Sequence, residues 1–231
     1  MSLYLIIEII AIIVPLIFSF DKNLQFHKNW KSVITSFSIV GLIYIVGDIY
    51  FAKHGIWGFN AVYHSNIVFW GLPIEEWLFF IAIPYASIFS HYALVFVLPK
   101  MMLNNKITNI ISVILITVLS IVVAFNFDKI YTTFNYVILI IAIALSFFDK
   151  TQILNRFYIT FLFILVPFLI TNSILTGSFT SEPIVWYNDA ANLGIRIFTI
   201  PIEDVGYAFS LLFLNILLMS KFQVIFKSKS N

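Results

Sequence analysis

The sequence predicts an all-α integral membrane protein: seven transmembrane helices, laid out as two parallel three-helix repeats (helices 1–3 and 5–7) joined by helix 4. Three observations predict it. The 231-residue chain is 61% hydrophobic and 10% charged, with mean hydropathy +1.00. That is more apolar surface than a water-soluble core can bury, so the solvent is largely lipid. Apolar runs approaching the ~20 residues that cross a bilayer lie near 2–19, 33–51, 74–97, 107–125, 132–148, 157–175 and 201–220. Finally, a slide of 128 residues (203 − 75) lays Pro73, Ile74, Glu75 and Glu76 on Pro201, Ile202, Glu203 and Asp204.

Helix 1 has no basic n-region and no A-x-A site, so it reads as a span rather than a cleaved signal. Pro15, Pro84 and Pro167 fall inside helices 1, 3 and 6 and are expected to kink them, since neighbouring helices can re-satisfy the freed backbone groups. Helices 3 and 7 each open on proline followed by two acids. Helices 4 and 5 carry little that is polar. Two long loops, 52–72 and 176–200, hold Trp57, Phe59, Phe69, Trp70, Trp186, Tyr187 and Phe198. Long loops are usually functional or disordered; their rings argue for segments that dip into the interface and cover a cavity.

Lys22, Lys28, Lys31, Lys100, Lys106, Lys150, Arg156, Lys221, Lys227 and Lys229 fall on one side of this arrangement, against Lys53, Lys129 and Arg196 on the other. The positive-inside rule then sets the N-terminus outside and the C-terminus in the cytoplasm of a multi-pass cell-membrane protein. Anionic lipid is a lesser role for these lysines.

The slide also pairs Asp21-Lys22 with Asp149-Lys150 and Asn60 with Asn188, with no gap across 21–82. One membrane domain, 1–231, is expected, with internal repeats of about 1–98 and 130–222. Helices 1 and 5 run the same way, so the repeats are related by an axis along the membrane normal, and the acidic motifs face each other across a central cavity. The halves differ: Asp48 falls on Thr176, His64 on Asn192, Val68 on Arg196.

Proline and first-turn acids make an ordinary helix start, because carboxylates complement the dipole and the unpaired N–H groups. In a membrane chain, ionisable residues point to function by default. Adjacent helical residues point about 100° apart, so one acid of each pair can face the cavity while its neighbour orients it. A carboxyl in a dry pocket can hold its proton and act as an acid, while another accepts one. Trp57, Trp77, Phe79, Phe80, Tyr187 and Tyr207 supply ring faces that favour cations. Together these suit proton-initiated isoprenoid cyclisation through carbocations, with substrate entering from lipid. The chain has no Cys, which excludes disulfide and thiolate chemistry. Scattered histidines and the lack of an Asp-rich motif give no metal site.

The stretches "GDIYFAKHGIWGFN…GLPIEEWLFF" and "TNSILTG…VWYN…GIRIFTIPIEDVGYAF" resemble the two halves of the small membrane lycopene cyclase domain, in a single-chain form. The resemblance implies cyclisation of the acyclic ψ ends of lycopene to β-ionone rings, giving γ-carotene or β-carotene with no net redox change. It implies lycopene or a related carotenoid as substrate and no flavin or other cofactor; the chain has no G-x-G-x-x-G. Pro73, Glu75, Glu76, Pro201, Glu203 and Asp204 match its two motifs. Asp48, Trp57 and Asn60 match polar positions of the first half, and Asn172, Tyr187, Arg196 and Tyr207 those of the second. Glu75 and Glu203, identical in both repeats, are expected to react, with Glu76 and Asp204 tuning or relaying; which acid gives the proton stays open. Arg196 is expected to pair with Asp204 or Glu203, with a plain loop cation as the other reading, and His91 to be a packed or hydrogen-bonded histidine. Carotenoid-pathway enzymes or a second copy of the chain are the candidate protein partners, and no nucleic acid is expected. Two other readings stand beside this one: a cyclase of another isoprenoid, and a transporter or proton channel using the paired acids. A retinal receptor would need a lysine midway along helix 7, and 201–220 has none.

Overall fold

A computed structural model describes residues 2–228, with side chains to 226; Lys229, counted above among the cytoplasmic cations, lies outside them. The chain runs α1 (Leu3–Phe18), α2 (Trp30–Lys53), β1 (Trp57–Phe59), β2 (Val68–Phe69), β3 (Leu72–Pro73), α3 (Ile74–Val97), α4 (Asn105–Phe125), α5 (Ile130–Ser146), α6 (Ile153–Leu175), β4 (Val185–Tyr187), β5 (Arg196–Ile197), β6 (Ile200–Pro201) and α7 (Glu203–Ser228). Five of these helices, α2, α3, α4, α6 and α7, are long and apolar enough to cross a membrane. The other two are apolar but shorter, α1 with 16 residues and α5 with 17. Pro15, Pro84 and Pro167 lie inside α1, α3 and α6.

Helix α1 packs on α3 and α5 on α7; α2 packs on α7 and α3 on α6; α4 flanks the bundle against α5. The core lies between α6 and α7, where the Phe209 ring sits 4.9 Å from both Phe157 and Phe161. His91 is buried there and its Nδ1 is 2.7 Å from Thr160 Oγ1. Ile10, Leu42, Val113 and Leu162 point outward from their helices and are exposed, an apolar exterior that suits lipid.

The two long loops form short strands that the sequence alone did not indicate. β1 pairs antiparallel with β4, with Trp57 opposite Tyr187, Gly58 opposite Trp186 and Phe59 opposite Val185. Gly58 is required: a Cβ there would lie 2.5 Å from Trp186 Cζ2. Asn60 N–H donates to Ile184 O and Asn188 N–H to Ile56 O, both at 2.9 Å. β2–β3 and β5–β6 are hairpins that feed α3 and α7, and Ile74 N–H to Ile67 O matches Ile202 N–H to Ile195 O, again at 2.9 Å. Their turns put Trp70 and Phe198 in the left-handed region, φ 52 and 57, with the rings exposed. Left-handed backbone costs a non-glycine residue about 1 kcal/mol.

Candidate functional site

Both acidic pairs lie in the first turns of α3 and α7, and the ~100° between adjacent residues sends the two members of each pair to different places. Glu75 turns to the loop before its helix. Its Oε1 accepts the Ser65 N–H at 2.7 Å and the Ser2 hydroxyl at 2.6 Å, and its Oε2 accepts the Ser65 hydroxyl at 3.1 Å. Glu203 does the same in its half: Oε1 accepts the Leu193 N–H at 2.7 Å and the Thr132 hydroxyl at 2.6 Å. These two carboxylates fasten loops to helix starts.

Their neighbours point inward. Glu76 Oε2 accepts the Tyr4 hydroxyl at 2.5 Å. Asp204 accepts three donors: the Tyr131 hydroxyl on Oδ1 at 2.6 Å, and the Asn172 amide and Tyr187 hydroxyl on Oδ2, both at 2.9 Å. Asp48, near the end of α2, accepts the Tyr207 hydroxyl on Oδ2 at 2.9 Å, while its buried Oδ1 meets no donor among the described residues. All three carboxyl groups are buried and line one cavity of about 50 Å³. Tyr4, Tyr131, Trp57 and Phe79 are further walls, and Val185 and Tyr187 close it from the β1–β4 pair.

Of the four motif acids, Glu76 and Asp204 line this cavity and Glu75 and Glu203 do not; a loop N–H holds one oxygen of each first residue, and Glu203 Oε2 is buried with no partner among the described residues. Of the residues singled out in the sequence, Trp57, Phe79, Asn172, Tyr187 and Tyr207 line the cavity, together with Asp48. Four other residues sit elsewhere. Trp77 packs beside Trp70, with ring centroids 5.8 Å apart and planes tilted by 60°. Phe80 packs with Val40, Tyr44 and Leu211. Asn60 donates from its side chain to Glu182 at 2.7 Å, in the exposed loops. Arg196 pairs with Asp189 and donates to Thr199 O at 2.7 Å, not to a motif acid; the β5–β6 turn holds it outside the cavity.

Sequence reasoning missed Tyr4 and Tyr131, which lie 127 residues apart and so fall out of step with the 128-residue slide. It also missed Glu8, buried on α1 one turn beyond Tyr4, with neither oxygen partnered among the described residues. A lone acid inside an apolar run was a signal that could have found it.

A family model described as lycopene cyclase matches residues 1–94 and 128–222. None of the curated proteins and no solved structure matches the chain.

Proposed function

The chain belongs to the lycopene cyclase family, and on that premise we propose that it closes the acyclic ψ ends of lycopene into β-ionone rings by proton transfer within the membrane. The observation that carries this reading is three buried carboxyl groups, Glu76, Asp204 and Asp48, around one aromatic cavity. A carotenoid end group is apolar and bears no handle except its double bonds. Protonation is the way to activate it, and the cation that forms needs ring faces and a nearby anion.

Asp48 is the proton donor: an O–H on its unpartnered Oδ1 has nothing to bond until an alkene arrives. Its proton goes to C2 of the terminal C1=C2 bond, leaving the cation at C1. The C5=C6 pair attacks C1, the C1–C6 bond closes the ring, and the charge moves to C5. Asp204 is the anion. Its three donors stabilise negative charge facing the cation, and it takes the proton from C6, which forms the C5=C6 bond of the β ring. One proton enters and one leaves, so no redox partner or flavin is needed. Glu76 and the tyrosine hydroxyls return the proton to Asp48 for the next cycle. Trp57, Phe79 and Tyr187 supply ring faces to the cation.

The same reading takes the chain as one domain of seven spans with two parallel repeats. The hydrogen bonds recurring about 128 residues apart support it, as does the β1–β4 register, in which Gly58 faces its own counterpart Trp186 (58 + 128) and Trp57 and Phe59 face each other's counterparts, as about a local two-fold. α1, at 16 residues, is about 24 Å long, short of the ~30 Å hydrocarbon core; the loop strands above it make up the rest. The N-terminus lies outside the cell membrane and the C-terminus in the cytoplasm.

Production of the chain in a lycopene-accumulating bacterium, with pigments separated by HPLC, tests the reading. γ-Carotene or β-carotene is expected. Unchanged lycopene beside well-expressed membrane protein overturns it.

A further inference from the structure

We infer that the unreacted arm of the polyene lies in a single groove between α1, α3 and α6, and that the quasi-equivalent groove on the opposite face of the bundle is closed. The inference rests on the cyclase reading and goes beyond it, because it sets how many ends can be engaged at once.

The acid cavity is not a dead end. Phe79, Phe168, Asn172 and Leu175 wall both it and a neighbouring hollow of about 150 Å³. That hollow shares Ser90, Ile164 and Pro167 with a third, of about 360 Å³, which reaches Leu94 and Val97. The path follows α3 from Glu76 to Val97, roughly 32 Å at the α-helical rise. Beyond Asn172, which it shares with the acid cavity, its polar side chains are the small ones of Ser87, Ser90 and Thr171. An extended polyene fits such a path; an ion or a sugar would find no partners along it.

The opposite face shows what the groove would look like filled. Shifted by 128 residues (127 between α1 and α5), Ala86, Ser90, Asn172 and Ala11 become Leu214, Leu218, Tyr44 and Ile138. These four larger side chains pack in one apolar cluster with Val40, Phe80 and Leu211. Tyr44 is locked there by a 2.7 Å hydrogen bond to Ser210. Leu175 of the open groove becomes Gly47, and a Cβ on Gly47 would lie 2.6 Å from the tip of the Phe134 ring. At these four positions the open side carries the smaller residue, whereas at Leu175 and Gly47 the order reverses and the Phe134 ring takes up the space on the closed side.

With one groove, one end of lycopene reaches the acids while the other arm is held. The second ring then requires the monocyclic product to leave and return reversed.

The test gives the open groove the residues of the closed one: Ala86→Leu near the acids, and Ser90→Leu farther along. Protein in nanodiscs is titrated with lycopene and binding is read from tryptophan quenching, beside HPLC of pigments from the producing cells. Val113→Leu, on the exposed face of α4, is the control. Each groove variant, with wild-type thermal unfolding, is expected to lose at least tenfold in lycopene affinity and in cyclised product. Wild-type quenching in either folded variant overturns the groove. If one variant unfolds, the other decides. Unchanged lycopene in cells making the wild-type chain counts against the cyclase reading instead, while the quenching still reports whether the groove holds a polyene.

Discussion

The Tyr4 hydroxyl donates to Glu76 at 2.5 Å, joining the first turn of α1 to the first turn of α3 inside the cavity. Tyr131 and Asp204 repeat the bond at 2.6 Å between α5 and α7. A hydrogen bond to a charged group contributes about 1.5–3 kcal/mol. Tyr4→Phe and Tyr131→Phe are therefore expected to lower cyclisation roughly 10- to 100-fold while leaving the amount of membrane protein unchanged. HPLC of pigments against protein quantified by immunoblot checks this. Full activity in both variants would show that the phenols do not tune the acids.

Glu76→Gln, Asp48→Asn and Asp204→Asn keep shape and remove the exchangeable acid. Positioned acid–base groups contribute about 10²- to 10⁴-fold, so each is expected to cost at least about 100-fold in cyclic product. The in vivo pigment ratio is the measurement.

Glu75→Gln and Glu203→Gln should behave differently. Each carboxylate holds a loop N–H, of Ser65 or of Leu193, and weakening that contact is expected to cost about 1–3 kcal/mol of stability. Cyclised product per folded molecule is retained. Thermal unfolding in detergent, run beside the pigment assay, separates the two pairs. Lost turnover in a fully stable Glu75→Gln protein would return Glu75 to the reaction.

Gly47→Ala pushes a methyl group into the Phe134 ring. Overpacking of this kind costs about 1–3 kcal/mol. Phe134→Leu in the same chain is expected to recover most of that loss, so a double-mutant cycle on unfolding should show coupling between the two positions.

The chain has no cysteine, so single cysteines report topology without background. Lys53→Cys and Arg196→Cys are expected to react with a membrane-impermeant maleimide on intact spheroplasts, and Lys106→Cys only after lysis. The reverse pattern would invert the orientation.

Much of the helical layout was legible in the sequence. Runs of apolar residues bounded by Pro73 and Pro201 give the starts of α3 and α7 because proline and first-turn acids suit a helix N-terminus. The ends were less visible. α7 reaches Ser228, past the expected 220, because its last turns carry Lys221 and Gln223 and so drop below the hydropathy of a span. The small loop strands were hidden for another reason: β1 and β4 satisfy each other's backbone groups across more than a hundred residues, and two or three residues carry no strand periodicity.

The sequence by itself determined that the chain is apolar and helical, and that its acids come in two matching pairs at helix starts, because hydropathy, proline position and internal similarity are local or translational properties. Only the tertiary structure decided which acid of each pair faces the cavity. Residues 75 and 76, like 203 and 204, differ by a rotation of about 100°, and which member of each pair turns inward goes with where the Ser65 and Leu193 N–H groups stand to receive the other. It also decided that Arg196 stays outside, that Tyr4 and Tyr131 come in, and that a groove lies open between α1, α3 and α6, because side-chain volume acts only once those helices have been brought together.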